Sequence, residues 1–304
     1  MPEPTDPAAP PPSPEARGMT AALPPERQWL RRLAGNDAAA LDDPSKAWIV
    51  KSGAADVFAL LPGDQRSGRA RLHLFRVHEG EALLGLAAPP DGGAAGLIAV
   101  PTAIGEIVEL PVADLLQVPG ENAQARRIAA VEAWVERLAQ SVAADLSAGE
   151  DLERLEAGAA LDLSPGAVVG SAGRFVWARV ESGALAPLGA PDGPPVIAPG
   201  AAIPLAGGLG YRATAATRVR GGTAASLLAE RALGAALEGF HRLVLRLVLA
   251  QARGRAGEDA ARLADSSSAD RALLDGALAG LERVLGGRPR APQERSAGAE
   301  LIDA

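Results

Sequence analysis

A two-stranded hairpin with a Ser-Gly turn occurs twice in this chain and constrains its fold more than any other feature. The first copy spans residues 48–58 (WIVKSGAADVF), and the second spans residues 176–185 (VWARVESGAL). Each copy is followed by a second glycine turn, at residues 78–80 and at residues 198–200. Because the two pairs of turns come in the same order, the sequence predicts a duplicated β-roll.

Short apolar or alternating runs surround the first hairpin, and turn residues bound each of them. These predicted strands are Trp48–Val50, Asp56–Leu61, Leu72–Val77, Leu83–Leu86, Gly96–Val100 and Glu106–Leu110. We therefore predict a first β-roll over residues 26–121. It includes a short helix at Glu26–Leu33 and a closing turn of helix at Pro111–Leu116. A second, less regular roll is predicted over residues 151–222.

Helical periodicity marks three further segments. The region 122–150 is predicted to connect the rolls through a helix at Ala123–Leu146, with Asn122 as its N-cap. Helices at Thr223–Arg253 and Ala260–Leu285 are predicted to form a hairpin over residues 223–287. Residues 1–25 are predicted to be a disordered proline-rich tail, and residues 288–304 a linker. The predicted fold class is α+β.

Composition excludes several classes of protein. The chain of 304 residues has a net charge of -7, only two lysines (Lys46 and Lys51) and no cysteine. This balance argues against a nucleic-acid surface, and it leaves no thiol for a disulfide or a zinc site. The apolar stretch Leu243–Ala250 contains Arg246 and is shorter than a membrane span. We expect no direct membrane insertion.

The sequence lacks the motifs of nucleotide hydrolysis, of serine catalysis and of a histidine metal site. Neither lysine lies in the glycine frame of a phosphate loop, and no Gly-x-Ser-x-Gly elbow is present. His73 and His78 are five residues apart, so a regular strand would place them on opposite faces. His241 is expected at a helix interface. We predict a chain that is not an enzyme, with no catalytic residue, no metal and no cofactor of its own.

The first predicted roll resembles the cyclic-nucleotide-binding fold, on the motifs Val50–Phe58, Phe75–Leu86 and Glu106–Leu115. The resemblance implies a ligand cradle at Gly80, Leu84, Gly85, Leu86, Gly96 and Leu97. Members that bind a cyclic nucleotide have a glutamate where this chain has Leu86. They also have an arginine in the stretch that matches Gly93–Val100, which has no basic residue here. A buried phosphate without a charged partner is poorly stabilised. We therefore predict that this roll does not bind cyclic nucleotides.

The chain from about Trp29 to Leu285 also resembles the N-terminal region of the ATP-binding/permease subunit of NHLM (nitrile-hydratase-leader-microcin) bacteriocin export systems. The motifs are the two hairpins, the run Leu72–Leu86, the helix around Trp134 and the Phe240–Leu243 helix. The resemblance implies a parent ABC transporter that uses ATP and magnesium, in domains absent from this chain. It also implies a location at the cytoplasmic side of the bacterial inner membrane. We expect a fragment of that subunit, or alternatively a stand-alone cytoplasmic relative.

Three functions are compatible with these features. The first is a non-catalytic accessory region of a peptide exporter, which docks a leader peptide or a partner transporter subunit. Its candidate contact surface is Leu83, Leu84, Leu86 and Leu97, which could instead be barrel core. The second function is a sensor of a small ligand resembling a cyclic nucleotide. The third is an oligomerisation module, in which the helix pair forms a homodimer.

Overall fold

The computed structural model describes residues 29–252, apart from 34–36, 62–69, 88–95, 103, 117–119, 144–151, 172–174, 190–195 and 207. The predicted tails at 1–25 and 288–304 and the predicted helix at 260–285 lie outside the described residues. Within them the protein is a mixed α+β fold with mostly antiparallel sheets.

Residues 29–116, here called the first half, form two four-stranded antiparallel sheets with the strand orders β1-β8-β3-β6 and β2-β7-β4-β5. A short helix, α1 (Val112–Leu116), closes this half. All six strands predicted here from the sequence are present. The strands are β1 (Trp29–Leu33), β2 (Ala39–Ala40), β3 (Lys46–Ser52), β4 (Ala54–Leu61), β5 (Ala70–His78), β6 (Ala82–Leu84), β7 (Gly96–Pro101) and β8 (Gly105–Pro111).

Residues 152–222, the second half, also form two four-stranded sheets, with the orders β10-β16-β12-β14 and β13-β15-β11-β9. Among the described strands, only β9 and β11 pair in parallel. The strands are β9 (Leu152–Leu155), β10 (Ala160–Leu163), β11 (Val168–Ser171), β12 (Val176–Ser182), β13 (Leu185–Pro187), β14 (Ala202–Leu205), β15 (Tyr211–Ala213) and β16 (Thr217–Gly222).

The two Ser-Gly turns have the same local geometry, but the prediction of a hairpin at each is wrong. The strands β3 and β4 lie in different sheets, and so do β12 and β13, so each turn is a corner between two sheets. Gly53 and Gly183 have φ angles of 83° and 78°, a left-handed conformation in which glycine is unstrained. A bulge precedes each turn, between Val50 and Ser52 in β3 and between Val180 and Ser182 in β12. The repeated sequence pattern therefore encodes a turn together with the bulge that precedes it.

Backbone hydrogen bonds tie each first turn to the second turn of the same half. Val50 donates to the carbonyl of Glu81 at 3.0 Å and accepts from Gly80 at 2.8 Å. Val180 likewise donates to Ala201 at 2.9 Å and accepts from Gly200 at 2.8 Å. The two pairs of turns seen in the sequence are thus joined in space in the same way.

The two tryptophans of the repeated motif do not occupy equivalent positions. Counting back from the shared Ser-Gly turn, Trp48 corresponds to Ala178, and Trp177 lies one residue earlier. Successive strand residues point to opposite faces, so the two indoles leave their sheets in opposite directions. The two tryptophans are therefore one residue apart in the register of the repeated motif.

The predicted helix at Glu26–Leu33 is wrong over its last five residues. Trp29–Leu33 is strand β1, which pairs with β8 from Trp29↔Glu109 to Leu33↔Gly105. A helix of eight residues is marginal in isolation because nucleation is costly. Pairing along the open edge of β8 satisfies the backbone of this segment instead.

Helix α2 (Glu121–Val142) joins the two halves, close to its predicted bounds. The predicted N-cap is wrong, because the capping residue is Gly120, with a φ of 95°, and no side chain caps the helix. Arg127, expected on the polar face, is buried, and its guanidinium donates to the carbonyl oxygen of Asp114 at 3.2 Å. Burial lowers the pKa of Arg127, and the nearby Asp114 raises it in part.

The long helix predicted at Thr223–Arg253 is interrupted. Helix α3 (Ala224–Ala229) begins at a capping box formed by Thr223 and Ser226. It ends at Ala229, and Arg231, two residues later, has a left-handed φ of 58° that prevents the helix from continuing. Helix α4 then runs over residues 233–252 of the described chain. The gap of six residues between Leu227 and Leu233 in the predicted apolar stripe does not fit one helical period, and this is the sequence signal of the break.

One cluster of buried apolar side chains runs through both halves and through helices α2 and α4. Helix α4 contributes alternate faces to it: Leu237 and His241 lie by the first half, while Ala236 and Leu243 lie by the second. This helix is the element that connects the two candidate sites described next.

Candidate functional site

The cradle predicted in the first half is filled by its own side chains. Leu84 and Leu86 are each 2% exposed, and Leu97 is 1% exposed. Leu83, the other residue of the predicted contact surface, is fully buried. The leucines therefore lie in the core of this half and present no open surface to a partner.

The backbone amides of the cradle are also used internally. Gly85 donates to the carbonyl of Lys46 at 3.0 Å, and Leu86 donates to the carbonyl of Leu41 at 3.0 Å. A phosphate binds glycine-rich loops through backbone amides of this kind, which must point outward to be free. Here two of them are already hydrogen-bonded inside the protein.

Gly85 is required for this close approach. A Cβ atom built on Gly85 would overlap the carbonyl oxygen of Asp43. Gly96, at the other side of the predicted cradle, has no atom within 4 Å of the same hypothetical Cβ. Gly85 therefore permits tight backbone packing, whereas the surroundings of Gly96 would accept a side chain.

Helix α4 covers the outer side of the cradle. Leu237 and His241 face Leu84 and Gly85 across a cavity of about 110 Å³. Small-molecule sites in proteins usually enclose about 300–1,000 Å³. The space left beside the cradle is too small for a nucleotide unless α4 moves.

A buried hydrogen bond holds α4 against α2 at this point. The indole N–H of Trp134 donates to Nε2 of His241 at 3.1 Å, and His241 is 4% exposed. Phe75 of β5 packs edge-on against Trp134, with ring centroids 5.5 Å apart. Burial lowers the pKa of His241 to about 3, so the ring is neutral at pH 7 and acts as an acceptor. His241 therefore lies at a helix interface, as expected, and its partner there is Trp134.

The glycine turn at Gly80 is clamped from both sides. Gly80 has a φ of 83°, and the backbone N–H of His78 donates to the Glu81 carboxylate at 2.6 Å. Arg137 of α2 pairs with that same carboxylate and also donates to the carbonyl of Arg76. The turn is therefore an attachment point for α2.

In the second half, the region between β14 and β15 is filled in a different way. Only residues 206–210 separate β14 from β15, against residues 85–95 between β6 and β7. Tyr211 is fully buried there, and its hydroxyl donates to the carbonyl of Pro204 at 3.3 Å. Burial raises the pKa of Tyr211 above its ordinary value, so the phenol is neutral. A tyrosine fills the interior that leucines fill in the first half.

The remaining candidate groups do not converge on a site. His73 lies 3.1 Å from the carboxylate of Asp56, which also pairs with Arg76, and these side chains are on the surface. His78 is exposed. Among the described residues, no group of three or more potential metal ligands is found. No helix in this part of the chain is long and apolar enough to cross a membrane.

A second feature was not predicted from the sequence. A groove of about 600 Å³ lies between α4 and β14, and Arg179, Arg242 and Arg246 line it. The spacing of Arg242 and Arg246 on a helix, next to Ala235 and Gly239, is the sequence signal that could have indicated it.

No family model and no curated protein matches the chain. Among solved structures, the regulatory domain of Toxoplasma gondii PKA with cAMP is 16% identical, with a TM-score of 0.25. This likeness covers 79% of this chain and 94% of that one. A CooA mutant from Carboxydothermus hydrogenoformans is 14% identical over 37% of this chain and 69% of that one, with a TM-score of 0.26. The regulator CLP of Xanthomonas campestris is 18% identical over 37% and 55% of the two chains, with a TM-score of 0.29. The likenesses are low in identity and in TM-score, so function is inferred from the residues of this chain.

Proposed function

We propose that this chain is a non-catalytic regulatory or docking module built from two rolls of the cyclic-nucleotide-binding type. In both rolls the place of the ligand is taken by the protein itself. The observation that carries the proposal is the use of the cradle amides: Gly85 and Leu86 both donate to backbone carbonyls inside the first half. A scaffold that has lost its small-molecule site retains its surfaces for binding another protein.

Two further observations support the same proposal. The cradle side chains Leu84, Leu86 and Leu97 are buried and apolar, so they offer no partner for a ribose hydroxyl or a phosphate. Burying a hydroxyl without a hydrogen bond costs roughly 2–7 kcal/mol, and burying an unpaired phosphate charge costs far more. Helix α4 lies over the cradle and is fixed by the Trp134–His241 hydrogen bond. Entry of a nucleotide would require this bond to break.

The alternative function is a sensor that binds a small anion and transmits the change through the helices. Isothermal titration calorimetry with cyclic AMP and cyclic GMP separates the two. The docking proposal predicts no saturable heat with either nucleotide. Micromolar binding of either nucleotide, together with shifts of the Gly85 and Leu86 amides, would instead establish a sensor that uses this cradle.

A more specific form of the proposal comes from the resemblance to the bacteriocin exporter subunit. In that form the module is an accessory region on the cytoplasmic side of the membrane, and it docks a leader peptide or a partner subunit. The quoted motifs alone support this form, and no family model matches. Its test is the genomic reading frame around this sequence: transmembrane segments followed by a phosphate loop are expected, and their absence would contradict it.

The third function, oligomerisation through the C-terminal helices, rests on a predicted helix outside the described residues. Light scattering over a range of concentrations tests it, and a monomer at every concentration would exclude it.

A further inference from the structure

Small and apolar residues line both sides of the groove beside α4, and together they form its floor. Ala235 and Gly239 line one wall, on α4, and both are exposed. Ala202 and Ile203 of β14 line the other wall. Small side chains one helical turn apart allow another backbone to approach closely. The floor therefore suits a helix or an extended strand rather than a large aromatic group.

The rim of the groove is positively charged. Its lining contains three arginines and no carboxylate: Arg242 and Arg246 lie one turn apart on α4, and Arg179 lies across the groove on β12. Arg179 pairs with Glu230, and Arg242 lies 3.4 Å from Glu238. Arg246 has no ion pair or hydrogen bond to another described residue. Exposed ion pairs contribute little to stability, so these arginines can exchange partners at small cost.

An exposed apolar side chain marks the same groove. Val196 is 62% exposed and lines it, and Leu30, far along the chain, is the other large apolar side chain exposed among the described residues. A valine beside an apolar floor and a cationic rim gives the composition of a small protein-binding surface, which is rich in arginine at its contacts.

We propose that this groove docks an acidic amphipathic helix from a partner protein. The proposal rests on the docking function above and names its surface and the chemistry of the partner. The apolar face of the helix packs on Ala235, Gly239 and Val196. Two carboxylates at i and i+4 then meet Arg242 and Arg246, since both pairs are separated by one turn. Arginine binds carboxylates through paired hydrogen bonds, which makes the spacing selective.

The test uses the full chain and a fluorescein-labelled synthetic helix of about 18 residues, five helical turns. The peptide carries a leucine stripe and glutamates at i and i+4 on the flank of that stripe. Two matched peptides replace the glutamates by lysine or the leucines by serine. Fluorescence anisotropy gives affinities, and amide shifts of Ala235, Gly239 and Leu243 locate the site. The acidic peptide is expected to bind with saturation, and both matched peptides at least about tenfold more weakly.

Variants of the protein decide whether the groove is responsible. Arg242→Glu with Arg246→Glu is expected to weaken binding of the acidic peptide about tenfold and to favour the lysine peptide. Ala235→Trp fills the floor from an exposed position and is expected to abolish binding. Arg126→Glu is the matched control, because Arg126 is also an exposed arginine on a helix, bonded only to the carbonyl of Asn122. Melting curves verify that each variant is folded.

Several outcomes would overturn the proposal. They are equal binding of the lysine peptide, equal loss in Arg126→Glu, or no amide shift at Ala235, Gly239 and Leu243 at millimolar peptide. Concentration-dependent shifts of these amides without peptide would show that a second copy occupies the groove, and would also contradict it. None of these results depends on the cradle. Failure of the docking function itself shows separately, as shifts of the Gly85 and Leu86 amides on adding cyclic nucleotide.

Discussion

The two halves of this protein share the same Ser-Gly corner between two sheets but fill their interiors differently. In both, a Ser-Gly turn is bonded to a second glycine turn through one valine, Val50 or Val180. In the first half, leucines fill the cradle and α4 covers it. In the second half, a short connection and the buried Tyr211 fill the same region. The same turn geometry is thus compatible with two different ways of filling the interior.

The largest expected effect concerns the glycines at which the chain packs most tightly in each half. Gly85→Ala places a Cβ on the carbonyl of Asp43, and Gly221→Ala places one on the carbonyl of Glu156. Backbone atoms cannot move aside as a side chain does, so each is expected to destabilise the fold by about 3 kcal/mol or more. Urea unfolding measures the loss. Gly96→Ala, with open space around its Cβ, is the control and should change little beyond strand propensity.

The repeated turn glycines sharpen the comparison between halves. Gly53 and Gly183 both have positive φ angles, so alanine costs each about 1–2 kcal/mol from backbone strain. Only at Gly183 would the new Cβ also overlap its neighbours, Ala216 and Thr217. Gly183→Ala is therefore expected to cost about 1–3 kcal/mol more than Gly53→Ala in thermal or urea unfolding. Equal losses would show that the two turns are equally tolerant.

A pH dependence is expected from the bond that attaches α4 to α2. The pKa of His241 is lowered to about 3 by burial, from an ordinary 6.5. The unfolded chain thus takes up a proton below pH 6.5 that the folded chain does not. Stability from this residue is complete above pH 6.5 and is lost as the pH falls towards 3, by up to about 1.4 kcal/mol per pH unit.

Comparison with His241→Gln isolates this effect. Glutamine can still accept from the indole of Trp134 but does not titrate. Urea unfolding at pH 7.5 and pH 5.5 should show a drop in stability for the parent protein and a smaller drop for the variant. If both proteins lose the same stability, His241 is not the group responsible.

The smallest expected change in stability distinguishes Trp48 from Trp177. The indole N–H of Trp48 donates to Glu109 at 3.0 Å, while that of Trp177 is buried with no partner among the described residues. Replacement by phenylalanine removes a charge-assisted hydrogen bond in one case and an unsatisfied donor in the other. Trp48→Phe is expected to cost about 1 kcal/mol more than Trp177→Phe. The reverse order would mean that Trp177 has a partner, such as a buried water.

Local patterns predicted the local structure well. The strands of the first half and the left-handed glycines at 53 and 183 follow from alternation and turn chemistry. The helix predicted over Trp29–Leu33 was wrong because the conformation of this segment depends on a distant partner, strand β8. The interruption at Arg231 was missed because the residues on both sides are good helix formers.

The candidate sites were harder to predict than the strands, because they depend on contacts between residues that are far apart in the sequence. The absence of a carboxylate at position 86 follows from the residue itself, Leu86. The use of the Gly85 and Leu86 amides could not be predicted, since their acceptors, Lys46 and Leu41, lie some forty residues earlier. The cover provided by α4 arises from packing between elements that are far apart in sequence, and no local pattern specifies it. The spacing of Arg242 and Arg246 indicates one wall of the groove, but the opposite wall, on β14, depends on the same long-range packing.

The most direct test of the closed cradle is hydrogen exchange at Gly85 and Leu86, measured by NMR with and without saturating cyclic AMP. Amides that are bonded inside the protein exchange only when the structure opens. The account predicts protection at Gly85 and Leu86 comparable to that of β3, and no change when the nucleotide is added. Rapid exchange at these two amides, or protection that appears only with the nucleotide, would contradict it.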